Sequence, residues 1–263
     1  MKALVYAGWE INLSEEFDSP VEVYIDNQYY HDTRAVKILG LCEPPEIMNT
    51  MVDYAINNHN KYDYILTCNE RVLSQCPNAR LFLFGTTWIQ SDYDILKEKE
   101  YSVSTIVGFK SMTYGHKMRH ELWKQQNRIT SIPRKFFTSQ HGGPQGNLVL
   151  RDSKYPLFDS QFHIVLENSN LKNLFSEKVL DCFRSKTIPI YFGCPNLGDF
   201  FDSRGFFMAN SVDQVIEICN SLNDSVYSNA KEYVESNYVK AAEYINFGKR
   251  LGEKVKSIIS TNP

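Results

Sequence analysis

The chain has 263 residues, 43% hydrophobic and 22% charged, with a formal net charge of −3. This is the composition of an ordinary globular protein, long enough for two modest domains, and it excludes disorder as the default state. The slight acidity excludes a broadly basic surface for tracking nucleic acid, while the later Lys and Arg residues leave room for a local basic groove.

Residues 2–7 (KALVYA), 21–25 and 36–41 (VKILGL) read as three buried strands, with a turn at Asp26-Asn27 after the second. Cys42-Glu43-Pro44-Pro45-Glu46 ends the third, and its two prolines stop any regular element and fix the loop. Helical spacing follows over 47–58, a strand over 64–67, a helix over 69–76 and a strand over 81–84. The alternation predicts a Rossmann-like α/β domain, assigned to residues 1–98. The charged run 94–100 (DILKEKE) is read as a linker, a reading compatible with the solvated end of a helix.

Residues 103–109 open a second α/β unit, with a helix predicted over 121–126. Residues 136–138 are apolar, 140–147 (QHGGPQGN) form a Gly- and Pro-rich loop, and 151–158 continue irregularly. A late strand is expected over 206–209, a helix over 212–222, and one or two closing helices over 230–258. The second domain is assigned to 99–240 and a closing C-terminal helix to 241–263. No internal repeat or low-complexity segment is visible.

The most informative stretch is 162–195. Residues 162–166 form an apolar strand ended by Glu167-Asn168-Ser169-Asn170. Ser176 is a helix N-cap with Glu177 in the first turn, and Val179, Leu180 and Phe183 mark one apolar face. Residues 188–192 form a second apolar run, closed by Gly193-Cys194-Pro195. Strand, helix and strand in so short a span make a βαβ unit with parallel strands. Polar residues at the first strand's carboxyl end then meet a helix N-terminus across a crevice, where open α/β sheets bind ligands. Free N–H groups beside Lys178 suit a phosphate or diphosphate.

Other chemistry is sparse. The six cysteines, Cys42, Cys68, Cys76, Cys182, Cys194 and Cys219, have no CxxC spacing, which argues against a zinc knuckle or a thioredoxin-type site. His116 and His141 have no partner at metal-ligand spacing. Asp92-Tyr93-Asp94 is formally a DxD but lies at the charged run and reads as solvated acid, so no metal site is predicted. Met1-Lys2 leads into an apolar run too short for a signal peptide or membrane span, so a soluble, cytoplasmic protein with reduced thiols is expected.

Residues 167–178, ENSNLKNLFSEK, resemble the donor-site motif of the family-ten (alpha-1,3-) fucosyltransferases: ENS, a few polar residues, an aromatic, Ser or Thr, then EK. The likeness continues into TIPIYFGCPNLGDFF at 187–201. It extends more loosely to LCEPPEI and to KSMTYGHKMR at 110–119, which resembles the family's His-then-Arg entry into a helix. The sequence departs from the family in carrying Phe175 where the motif usually has Tyr, and in lacking the acceptor loops of larger members.

The resemblance implies an α/β, GT-B-type fold of two Rossmann-like domains facing a central cleft. It implies an inverting glycosyltransferase with no obligatory metal and a nucleotide-sugar donor, by default GDP-fucose, with a glycan hydroxyl as acceptor. Lys178 and Arg119 would meet the donor diphosphate, the Lys as a point charge and the Arg by bidentate contact. Asn168 would bond phosphate or sugar oxygens, or else end the strand as an Asx-turn. Glu177 would take ribose or sugar hydroxyls while complementing the helix dipole. Glu167 would stabilise positive charge in the transition state, or else form a salt bridge. Glu43 is the candidate base, with Glu46 the runner-up.

Two alternatives stand beside this reading. One keeps the fold and chemistry but moves a UDP-pentose or UDP-hexose to a non-glycan acceptor such as a hydroxymethylated DNA base, with basic residues along 110–128 and at Arg134-Lys135 as a phosphate-contacting rim. The other is a sugar-nucleotide-binding protein without catalysis. No motif encodes the donor's base or the oligomeric state.

Overall fold

The computed structural model describes all residues except 27, 30, 32, 90–97, 147 and 261–263. Asp92, Asp94 and most of the charged run at 94–100 lie outside the described residues. The chain forms two compact units. The first comprises Met1–Thr86, Leu171–Leu174 and Asn246–Pro263, and the second Thr87–Asn170 and Phe175–Ile245.

The first unit holds five parallel strands, β1 (Leu4–Tyr6), β2 (Val21–Ile25), β3 (Val36–Leu41), β4 (Tyr64–Thr67) and β5 (Ala79–Leu81), arranged in that order. Helices α1 (Asn49–Asn58) and α2 (Glu70–Gln75) join the later strands. Side chains alternate between the two faces, as the period of two in a strand requires. Val21, Val23, Ile25, Ile38 and Leu66 meet Leu251, Val255 and Ile258 of the C-terminal helix (Phe247–Ser260). Tyr24, Leu39, Leu41 and Ile65 meet Met51, Val52, Ala55 and Val72. Both faces are covered, which is why these strands are apolar nearly throughout.

The strand expected over 81–84 lies earlier, at Ala79–Leu81. Phe82 and Phe84 are still buried, but they pack edge-on against each other at 4.9 Å and against Phe247. Phe82 N still donates to Thr67 O at 3.1 Å, and beyond it aromatic packing accounts for the apolar run.

The second unit contains β6 (Glu100–Val107), α3 (Tyr114–Gln125), β7 (Arg134–Ser139), β8 (Leu148–Leu150), β9 (Ser160–Leu166), α4 (Glu177–Arg184), β10 (Ile188–Phe192), β11 (Phe207–Met208), α5 (Val212–Ser221), α6 (Asp224–Asn229) and α7 (Lys231–Ala241). Its six strands are parallel in the order β11-β10-β9-β6-β7-β8. The βαβ unit read from the sequence is present, with β9 and β10 adjacent in register from Phe162↔Ile188 to Leu166↔Phe192. One core joins alternate residues of these strands to Met118, Leu122, Val215 and Cys219.

One helix expectation changes, and the closing stretch has two helices, within the one or two expected. Helix α3 starts at Tyr114, seven residues before the predicted 121, because Thr113 caps it reciprocally with His116. A capping box normally carries Glu or Gln at that position, so the signal was unfamiliar. The closing stretch divides into α7 and the C-terminal helix, and Asn246 Oδ1 accepts from Lys249 N at 2.8 Å to begin the latter. None of the six cysteines is in a disulfide. Among the described residues, no helix is long and apolar enough to cross a membrane.

The C-terminal helix lies on the first unit's sheet although it is last in sequence, and Leu251 is fully buried there. Leu251→Ala is expected to cost about 2–5 kcal/mol. Hydrogen exchange should quicken in β2–β4 and stay unchanged in β9 and β10.

Candidate functional site

Strand order in the second unit reverses between β6 and β9: the chain runs outward from β6 through β7 to β8, then returns to β9 on the other side. Such reversals open a crevice at the strands' carboxyl ends, where α/β sheets hold ligands. The first unit's order is consecutive and has no reversal.

Helix α3 is pressed against the end of β9. Gly115 N donates to Asn168 O at 3.1 Å. A Cβ on Gly115 would lie 1.6 Å from Glu167 O, so only glycine fits this approach. Arg119, one turn further on, donates through Nε to Leu166 O at 2.9 Å and through Nη2 to Asn168 Oδ1 at 2.9 Å. Its second contact with Leu166 O is also made by Nη2. Burial lowers the Arg119 pKa, while Glu167 and Glu177 work in the opposite direction.

Helix α4 begins at the same crevice. Glu167 is 5% exposed. Its Oε1 accepts from Ser176 N at 2.9 Å and its Oε2 from Ser176 Oγ at 2.7 Å. Ser176 Oγ in turn accepts from Lys178 N at 3.3 Å and Lys178 Nζ at 3.1 Å. Lys178 Nζ also lies 3.2 Å from Glu177 Oε1 and 3.6 Å from Glu167 Oε2. Burial alone would raise the Glu177 carboxyl, but the Lys178 and Lys154 ammonium groups outweigh it and bring it down to about 2. For Lys178 burial pulls downward, and Glu177 and Glu167 more than offset it, so its pKa is raised.

The structure therefore gathers Arg119, Glu167, Asn168, Ser176, Glu177 and Lys178 in one unit. Glu43 and Glu46 lie in the first unit, on the exposed loop after β3. Asp26 Oδ1 holds that loop's start, accepting from Cys42 N at 2.7 Å and Glu43 N at 3.0 Å. Glu43 lines a pocket of about 220 Å³ with Leu41, Pro44, Pro45, Val52 and Leu174. Glu46 does not line it.

Several residues of the site escaped the sequence reading. Lys154 Nζ reaches Glu177 Oε1 at 3.6 Å and Asp181 Oδ2 at 3.3 Å, and nothing in the irregular stretch around it marked it out. Asp181 did carry a signal, as an acid among Val179, Leu180, Cys182 and Phe183 on a buried helix. It is 0% exposed and accepts from Thr87 Oγ1 at 2.8 Å and Trp88 N at 2.7 Å. His116 Nδ1 accepts from Thr113 N at 3.3 Å, so its ring is neutral with the proton on Nε2. Burial, reinforced by Arg119, Lys110 and Lys178, holds its pKa down at about 4. Among the described residues, no group of three or more His, Cys, Asp or Glu is placed to hold a metal ion.

No protein-family model matches the chain, and no characterised protein matches it in sequence. Solved structures do match it. An alpha1,3-fucosyltransferase with GDP-fucose is similar at a TM-score of 0.56 and 17% identity, over 94% of this chain and 80% of that one. HepE from Anabaena with UDP-glucose gives 0.61 and 10% identity, over 87% and 73%. A TarM mutant from S. aureus in complex with UDP gives 0.57 and 13%, over 89% and 55%. At these identities the likeness fixes the fold, the two Rossmann-like domains of the GT-B glycosyltransferases.

The neutral, buried His116 makes stability depend on pH. The unfolded imidazole titrates near 6.5 and the folded one near 4. The unfolded chain therefore takes up this proton first, and stability falls as pH drops from 6.5 toward 4. The loss is about 1.4 kcal/mol per pH unit from this group. In denaturant unfolding, His116→Gln, which keeps a capping-box residue, should flatten that slope.

Proposed function

We propose that the protein is a glycosyltransferase that moves a sugar from a nucleotide-sugar donor to an acceptor hydroxyl. The observation that carries this reading is the cluster at the β6–β9 reversal, where Arg119 of α3 holds Asn168 at the end of β9 and Glu177 and Lys178 stand at the start of α4, in a unit of Rossmann topology. The GT-B likeness and the ENS…SEK segment support the same reading.

In this reading the donor diphosphate takes the place Lys178 now shares with Ser176 and Glu177. Lys178 and the guanidinium of Arg119 meet its charge, favoured by the positive end of the α4 dipole. Glu177, held ionised, accepts from ribose or sugar hydroxyls. Glu167 keeps Ser176 and the helix start in place. Glu43 is the proposed base and Glu46 its alternate. The base takes the acceptor proton, the freed oxygen attacks the anomeric carbon, and the bond to the diphosphate breaks with its electron pair leaving on phosphate oxygen. Attack from the face opposite the leaving group inverts the anomeric centre. Positioning and electrostatics supply most of the acceleration.

GDP-fucose and a glycan acceptor are the default substrates, from the motif. A UDP-sugar is the second donor reading, because HepE and TarM were solved with UDP-glucose and UDP.

Calorimetry with GDP, UDP, CDP, TDP and their sugars tests the reading. One nucleotide should bind selectively, and Lys178→Ala should weaken it about ten- to hundredfold, the worth of a charge-assisted hydrogen bond. Glu43→Gln should abolish transfer and leave donor affinity unchanged. A folded protein that binds none of the panel would refute the donor site. Binding without turnover, unaffected by Glu43→Gln, would indicate a non-catalytic binding protein.

A further inference from the structure

We infer that Lys154 is a positioning residue of the donor site, whose ammonium orients the Glu177 carboxylate toward the donor's ribose hydroxyls. The inference rests on the donor reading above and deepens it.

Glu177 and Asp181 are four residues apart on α4, so their side chains lie one turn apart on the same face. Lys154 spans the two, with Nζ 3.6 Å from Glu177 Oε1 and 3.3 Å from Asp181 Oδ2. The Asp181 end is a rigid anchor. That carboxylate is fully buried, and its other oxygen is held by Thr87 Oγ1 and Trp88 N. The Lys154 ammonium also stands 3.8 Å from the centre of the Trp88 ring, a cation–π seat on a third side. A flexible lysine is thus fixed by a buried acid and an indole, with its ammonium 3.6 Å from Glu177 Oε1.

Lys178 shares the same Glu177 oxygen at 3.2 Å. It cannot serve Glu177 and a donor diphosphate equally. When Lys178 turns to phosphate, Lys154 is the cation that stays on Glu177, keeping it ionised and in its rotamer. The two lysines divide the work: one meets the diphosphate, and the other holds the carboxylate that reads the ribose hydroxyls.

The test compares GDP and UDP with 2′-deoxy-GDP and 2′-deoxy-UDP by calorimetry. The wild-type protein should prefer the ribonucleotide by about tenfold, one hydrogen bond to a charged group. Lys154→Gln should reduce that preference to about twofold or less while leaving deoxynucleotide affinity within about twofold, and Lys154→Arg should restore it. General loosening of the fold would weaken both nucleotides alike. Should Lys154→Gln fail to fold, Trp88→Ala takes its place, since it frees the lysine from its seat and leaves every carboxylate its ion partner. The preference should then fall about threefold. The inference is overturned if Glu177→Gln abolishes the preference and neither Lys154→Gln nor Trp88→Ala reduces it. If Glu177→Gln itself leaves the preference intact, the assignment of Glu177 to ribose fails, and this inference fails with it.

Discussion

A single buried carboxylate organises the second unit. Burying a charge is costly unless it is paired and hydrogen-bonded. Glu167 meets that condition by taking Ser176 N and Oγ on its two oxygens, with Lys178 nearby. The loop between β9 and α4 must therefore return to the strand end, and that return caps α4 and aims Glu177 and Lys178. The same residue constrains two other segments. Its carbonyl leaves room only for glycine at 115 in α3, and a Cβ on Gly193 would come within 2.5 Å of its Cγ. Three pieces of chain distant in sequence converge on one side chain and its backbone.

The two units differ in what their topology permits. Both are parallel sheets covered by helices, and both bury apolar strands. Only the second reverses its strand order, and the charged cluster of Arg119 and the ion-paired Glu167, Glu177 and Lys178 sits at that reversal. The first unit carries instead a mainly apolar pocket beside a carboxylate loop whose backbone Asp26 pins. The charged cluster around Glu167 and the Glu43 loop thus belong to separate units of the chain.

Much of this was legible in the sequence, and the failures have physical causes. Strands β2, β3, β4 and β10 have the predicted limits because both of their faces are buried and polar residues bound them. Ser176 caps α4 as its place before an acidic first turn indicated. Helix α3 was found late because His116 does the work usually given to Glu or Gln. Strand β8 was missed because it has three residues, two of them exposed, and so little periodicity. Within the site, the residues of one contiguous motif were found together. Lys154 and Thr87–Trp88 were not, because their roles come from tertiary contacts that no local pattern encodes. Asp181 could have been found, since an acid flanked by buried apolar residues needs a partner somewhere.

The central claim is that a nucleoside diphosphate binds at the start of α4. Backbone amide NMR during titration with GDP and with UDP tests it most directly. The account predicts that one of them moves the amides of Ser176, Glu177 and Lys178 most, with Gly115 and Arg119 following at the same ligand concentration. Shifts confined to the Glu43 loop and Asn69–Arg71 of the first unit, or none at all, would contradict it.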